Sequence, residues 1–221
     1  MDPSNNNVWL FYPNLIGYGR IVFALVSMYY MSTAPATALI CYALSAALDA
    51  FDGWAARTYN QSSRFGAMLD QLTDRCALLA MVMALCKFYP DWLFMLQLSA
   101  VVDIASHWLH LHATDLTGAG SHKQSKNFIL NLYYTDRTFL GFMCGGNEAF
   151  YMLLYIRAFY AGPLIFGFHF MSIFPLVAFP IAFVKSAISL VHLYTAAETV
   201  VQHDVRLRIA ADMPSSSSKR D

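Results

Sequence analysis

The chemistry in this sequence begins with four aspartates, Asp49, Asp52, Asp70 and Asp74, in the stretch DAFDGWAARTYNQSSRFGAMLDQLTDR. The spacings, three residues in the first pair and four in the second, put each pair on one face of a helix. Carboxylates in apolar surroundings are costly unless a cation compensates them, and a bound divalent metal is the simplest such cation. Four aspartates without clustered Cys or His form a hard, all-oxygen donor set that suits Mg²⁺ or Mn²⁺. Ions of this kind also bind phosphate. Arg57 and Arg64 add positive charge, and Ser62 and Ser63 precede a helix whose free N–H groups favour anions. Gly53, beside Asp52, lets a bulky group reach the backbone. A plain salt-bridge network with Arg57, Arg64 and Arg75 is the competing reading, but it does not call for two spaced pairs and matching glycines.

The elements that must position these residues are membrane helices. The chain has 221 residues, 57% hydrophobic and 13% charged, against about 25% charged in soluble domains. Zero net charge carries no footprint for nucleic acid. The expected fold is all-α: one polytopic membrane domain over 1–200 with six transmembrane helices, then a disordered cytosolic tail over 201–221. The helices are expected at 13–31, 36–57, 64–88, 92–112, 139–160 and 170–199; a span needs roughly 20 residues. The N-terminus lacks a basic region and a cleavage site, so no cleaved signal is expected. Cys41, Cys76, Cys86 and Cys144 lie in apolar runs and are expected as buried thiols. Lys and Arg concentrate at the 2–3 loop, the 4–5 loop (Lys123, Lys126, Arg137) and the C-terminal tail. Both termini and the aspartates are therefore expected at the cytosolic face.

Asp49, Asp52, Gly53 and Ala56 share one helical face, and Gly66, Asp70, Thr73, Asp74 and Ala77 share another. Antiparallel packing of the two helices through the short 59–63 loop would bring the pairs together, with small residues permitting close approach. Arg20, early in the first helix, is read as snorkelling or facing a phosphate. Asp103 and His107, one turn apart, and Arg137 are candidates for an acceptor pocket; Asp103 and His107 could equally form an interhelical pair. Glu148 and Lys185 are intramembrane ionisable groups that could pair. Gly145 and Gly146 are read as a close-packing site.

The pattern Asp49-x₂-Asp52-Gly53-x₂-Ala56-Arg57-x₈-Gly66-x₃-Asp70-x₃-Asp74 resembles the CDP-alcohol phosphotransferase signature at every fixed position. PNLIGYGRIVFA at 13–24, RFGAMLDQLTDR at 64–75, ASHWLHLH at 105–112 and YYTDR at 133–137 resemble its eukaryotic phosphatidylinositol synthase branch. The resemblance implies two divalent ions, Mg²⁺ or Mn²⁺, with Asp49 and Asp70 bridging both, Asp52 on the first and Asp74 on the second. It also implies that Asp74 takes the proton of the attacking hydroxyl. Gly53, Arg57 and Ser63 would contact CDP-diacylglycerol, and Ala56 and Gly66 would leave room for it. The implied acceptor is myo-inositol, the implied products phosphatidylinositol and CMP, and the implied setting a homodimer in the endoplasmic reticulum membrane. Rival expectations are another alcohol acceptor (glycerol phosphate, serine or choline), a prenyltransferase, or a divalent-cation transporter. The aspartate spacing and the Gly53, Ala56, Arg57 and Gly66 positions disfavour the prenyltransferase. Clustering of the acids at one side disfavours the transporter.

Overall fold

The computed structural model describes residues 7–117, 137–165 and 167–212. Among the described residues six α-helices dominate: α1 (Tyr12–Tyr30), α2 (Pro35–Thr58), α3 (Arg64–Phe88), α4 (Leu93–Thr117), α5 (Arg137–Phe159) and α6 (Ile173–Asp212). A small antiparallel hairpin, β1 (Leu164–Ile165) and β2 (Phe168–His169), connects α5 to α6. Its turn uses Gly167 at φ 83°, a conformation glycine adopts at little cost.

Local chemistry sets the ends that matter for the site. Proline occupies the first turn of α1 and of α2, where its missing N–H is not needed. After α2, Asn60 takes φ 53°, and the Gln61 N–H returns to the Ala56 carbonyl at 3.0 Å. This is a Schellman-type stop. Three residues on, the Ser63 hydroxyl accepts the Gly66 N–H at 2.9 Å and caps α3.

Segments Pro35–Thr58, Pro90–Thr117, Thr138–Phe159 and Phe170–Ala211 are long and apolar enough to cross a membrane. Of the six expected spans, α1 and α3 have 19 and 25 residues. They have the length but carry Arg20 on one and Asp70, Asp74 and Arg75 on the other. Large apolar side chains such as Leu25, Phe51, Leu176 and Phe183 point outward, as lipid-facing residues do.

Two expectations need correction. The chain does not lose structure at Val200, because α6 runs 40 residues to Asp212. Residues 200–212 hold no Gly or Pro and several strong helix formers, so polar composition does not stop the helix. At 1.5 Å per residue α6 is about 60 Å long, roughly twice the hydrocarbon core, so its polar end extends beyond a bilayer. The four cysteines are free thiols, as expected, but none is fully buried and Cys76 is exposed. In a membrane protein an apolar run faces lipid as readily as core.

The chain divides into two compact units, 1–100 with 147–179, and 101–146 with 180–221. In the first, α1 lies along α2 and also touches α3. Its buried face is Pro13, Asn14, Gly17, Arg20, Ala24 and Ser27. Two hydroxyls join it to α2: Ser45 donates to the Arg20 carbonyl at 3.0 Å, and Ser27 to the Ala38 carbonyl at 2.8 Å. Small and hydroxylated residues are the usual adhesive between membrane helices. The apolar core of this unit gathers around Tyr42, Met81, Leu85 and Tyr155.

In the second unit Met143 and Ile188 centre a smaller core. A Cβ on Gly146 would lie 2.6 Å from Ile181 Cγ2, whereas Gly145 has open space beside it. Among the described residues it is therefore the second glycine of the pair that serves close packing. Lys185 of α6 donates to Asp103 of α4, and His110 stacks on His192 at 5.1 Å. The ammonium suggested above for Glu148 is thus on Asp103.

Candidate active site

The four aspartates do converge, but around a side chain the sequence reading had placed elsewhere. Arg20 of α1 is 1% exposed, and its guanidinium sits among all four carboxylates. Its Nη1 lies 2.8 Å from Asp49 Oδ1, 2.6 Å from Asp52 Oδ2 and 2.6 Å from Asp70 Oδ1, while Nη2 donates to Asp74 Oδ1. The snorkelling role read for Arg20 is therefore wrong. A helix that must seal its own backbone and bury its arginine has to supply that arginine with anions, and α2 and α3 present them.

The carboxylates are not equivalent. One oxygen each from Asp49, Asp70 and Asp74 lie within 4.8 Å of one another. Asp52 is outside that trio and more enclosed, its side chain 11% exposed against 45% for Asp49 and Asp70. Arg75 reaches the second oxygen of Asp74 at 3.5 Å. Between the two aspartates, Thr73 donates its hydroxyl to the Leu69 carbonyl at 2.8 Å, so its polar group is satisfied within α3.

The 59–63 loop is held from three sides. Gln61 Oε1 accepts the Tyr12 N–H at 2.8 Å, tying the loop to the start of α1. Tyr12 packs on Tyr59 and Trp9 on Phe65, with ring centroids 4.9 and 4.6 Å apart. Asn14, 1% exposed, donates to the Val8 carbonyl. Its Oδ1 has no hydrogen-bond partner and lies 2.7 Å from where a Gly66 Cβ would be. The space beside Gly66, assigned above to a donor, is filled by Asn14. Gly53 leaves its space to Arg57, whose Nη1 is 3.4 Å from an added Cβ. Arg57 itself is exposed, and Ala56 is partly buried.

Of the acceptor candidates, Asp103 is buried against Lys185, and His107 Nδ1 lies 2.7 Å from the Asp103 carbonyl. Arg137 opens α5, but its side chain, like Lys123 and Lys126, lies outside the described residues. Sequence reasoning missed the placement of Arg20, the part played by Asn14, and the alignment of Lys185, Ser189 and His192, all buried on α6. A signal for the last was present: the three follow i, i+4, i+7 spacing in an otherwise apolar helix.

A model of the CDP-alcohol phosphatidyltransferase family matches residues 10–134, more than half of the chain. This chain belongs to the CDP-alcohol phosphatidyltransferase family. The match takes in α1 to α4 and all four aspartates. Curated relatives extend the likeness through α5 and α6. A Drosophila melanogaster protein is 49% identical over 208 residues, 93% of this chain and 91% of its own. A Mus musculus protein is 50% identical over 201 residues, 90% and 94% of the two chains. A Schizosaccharomyces pombe protein is 38% identical over 229 residues, 95% and 97%. All three are named CDP-diacylglycerol–inositol 3-phosphatidyltransferase. No solved structure matches the chain.

Enzymes of this family generally depend on divalent metal, and the donor set here fits one. Asp49, Asp70 and Asp74 form an all-oxygen cluster, the class of ligand that Mg²⁺ and Mn²⁺ prefer.

Proposed function

We propose that this chain transfers the phosphatidyl group of CDP-diacylglycerol to myo-inositol, giving phosphatidylinositol and CMP. The observation that supports it best is the gathering of all four signature aspartates at one point. That gathering occurs in a chain about half identical to curated inositol transferases. Two divalent ions, Mg²⁺ or Mn²⁺, would supply charge neutralisation at the diphosphate and at the leaving phosphate when bound. Asp49 and Asp70 would hold both, Asp52 the first and Asp74 the second.

The protein's own groups do the rest. Asp74 accepts the proton of the attacking inositol hydroxyl. Arg57, laid back over Gly53, contacts the diphosphate from the exposed end of α2. Ser63 and the first N–H groups of α3 offer donors to the same group, while Ala56 and the capped loop shape the entry for the nucleotide. Asp103, His107 and Arg137 are the acceptor-pocket residues in this reading. The reaction centre lies at the cytosolic edge of the endoplasmic reticulum membrane, where soluble inositol and lipid-bound donor can both reach it, and the enzyme works as a homodimer.

The deciding experiment incubates the purified protein in lipid nanodiscs with CDP-diacylglycerol, Mg²⁺ or Mn²⁺ and radiolabelled inositol, with serine and glycerol 3-phosphate as competing acceptors. Labelled phosphatidylinositol and equimolar CMP are expected, and EDTA abolishes both. CMP release with serine or glycerol 3-phosphate but not inositol would move the chain to another acceptor within the family.

A further inference from the structure

Arg20 carries an inference that rests on the reading of the aspartates as metal ligands. One guanidinium faces four carboxylates, and with Arg75 touching Asp74 alone of the four, at 3.5 Å, the cluster holds more acids than bases in a helix bundle. The bonding is also uneven. Nη1 has two N–H groups to offer, yet three carboxylate oxygens lie within 2.8 Å of it. Nη2 serves Asp74, and Nε, buried, has no partner. A permanent arginine–carboxylate brace is ordinarily a saturated two-pronged pair. Here the guanidinium is crowded on one nitrogen and idle on another, and the acids closest to one another are the most exposed.

We propose that Arg20 is the built-in counter-cation of this site. It holds Asp49, Asp52, Asp70 and Asp74 together when no divalent ion is bound, and it gives up carboxylate oxygens as ions load. It therefore competes with the metal for the same ligands. Asp52, the most enclosed of the four and outside the trio, keeps one oxygen on Arg20. Arg20 is in this sense a positioning residue for the metal site. Two consequences separate it from a helix-packing arginine. Its loss harms the metal-free protein more than the metal-loaded one. Its loss also tightens metal binding, because a competing positive charge leaves and the metal-free state it stabilised rises in free energy.

The test uses the full chain in nanodiscs, with Arg20→Gln and Arg20→Lys prepared throughout in Mn²⁺ and then stripped with EDTA. Free Mn²⁺ is followed by electron paramagnetic resonance, and thermal unfolding is recorded with and without Mn²⁺. Arg20→Gln is expected to bind Mn²⁺ about tenfold more tightly than the unsubstituted protein, from removal of one nearby like charge. Its melting temperature should fall in EDTA and return close to the unsubstituted value in Mn²⁺. Arg20→Lys keeps the charge without the fork, so its Mn²⁺ affinity should stay near the unsubstituted value while its EDTA melting point falls part-way.

Equal destabilisation with and without Mn²⁺, or failure of Arg20→Gln to fold even in Mn²⁺, overturns the proposal. So does unchanged or weakened Mn²⁺ affinity accompanied by a raised KM for CDP-diacylglycerol, which would make Arg20 a phosphate contact. Asp70→Asn separates this failure from that of the underlying reading. If Asp70→Asn binds Mn²⁺ as the unsubstituted protein does, the aspartates are not the ligands and both readings fall.

Discussion

Each of the two units buries a basic side chain among membrane helices, and the two are balanced in opposite ways. In the first unit Arg20 meets four aspartates from α2 and α3. In the second, Lys185 meets Asp103 from α4, with His107 Nδ1 3.6 Å from the same carboxylate oxygen, while Ser106, Ser189 and His192 are buried on the same two helices. A one-to-one pair is self-sufficient. It is balanced in charge and asks for no further cation. Four acids that share Arg20, with Arg75 near Asp74 alone among them, leave room for more positive charge. The charge balance of a cluster thus separates a site able to take a cationic ligand from one whose charges already cancel.

The largest effect should come from the unbalanced cluster. Asp74→Asn removes both the proposed base and one metal-ligand charge, and kcat is expected to fall by about 10³-fold or more. Gel-filtration profile and melting temperature in Mg²⁺ should stay close to those of the unsubstituted protein, because Asp49, Asp52 and Asp70 remain to hold metal. A variant keeping a tenth of its turnover would break the contrast, since the acid would then be no more than part of the packing.

The balanced pair should respond in the reverse order, in stability first. Lys185→Met strands the Asp103 carboxylate, a change that costs about 3 kcal/mol for a buried pair. The double variant Lys185→Met with Asp103→Leu removes both charges and should recover most of the lost stability. In the proposed acceptor pocket it should also raise the KM for inositol about tenfold while leaving that for CDP-diacylglycerol unchanged, the loss of one good hydrogen-bonding partner. Recovery of stability with an unchanged inositol KM would reduce this seam to a brace. No such double replacement should rescue the Arg20 cluster, whose charges the reaction needs.

The contrast also explains what could be read from the chain in advance. Helices are legible in long apolar runs and in Pro13 and Ser63 at two of their starts. The aspartate faces followed from helical phase alone, because all four acids lie on two helices joined by a short loop. Arg20 could not be placed that way. Phase assigns it to a face of α1, but nothing local says that this face meets the other two helices. Lys185 and Asp103 are separated by 82 positions, and only tertiary packing makes them partners. Gly66 was legible as a residue that must be small, yet the neighbour requiring it, Asn14, comes from a different helix. The end of α6 was missed because polarity was read as disorder in a segment with no helix breaker.

Two glycines sharpen the comparison at smaller magnitude. Gly66→Ala drives a methyl to within 2.7 Å of Asn14 Oδ1, and Gly146→Ala drives one to within 2.6 Å of Ile181 Cγ2. Each overpacks by a similar amount, so each should cost about 1–2 kcal/mol. Their functional signatures should differ. Gly66→Ala displaces Asn14 beside the start of α3 and should raise the KM for CDP-diacylglycerol severalfold. Gly146→Ala strains an apolar contact and should lower the melting temperature without changing either KM. Matching kinetic losses in the two variants would mean that the active centre reports general helix packing.

The smallest effect tests whether the start of α3 is only scaffold. Ser63 caps the helix through the Gly66 N–H, and Ser63→Ala should cost about 1 kcal/mol. Asn and Asp are equally good caps, so Ser63→Asn and Ser63→Asp should both restore the melting temperature. They differ in charge, and the donor carries a diphosphate. If Ser63 stands beside that group, Ser63→Asp will be as stable as the unsubstituted protein and yet show a raised KM for CDP-diacylglycerol, with Ser63→Asn close to normal. Equal KM values in the two variants would leave Ser63 a cap alone, and the contact with the donor would then have to come from Arg57 and the free N–H groups of the first turn.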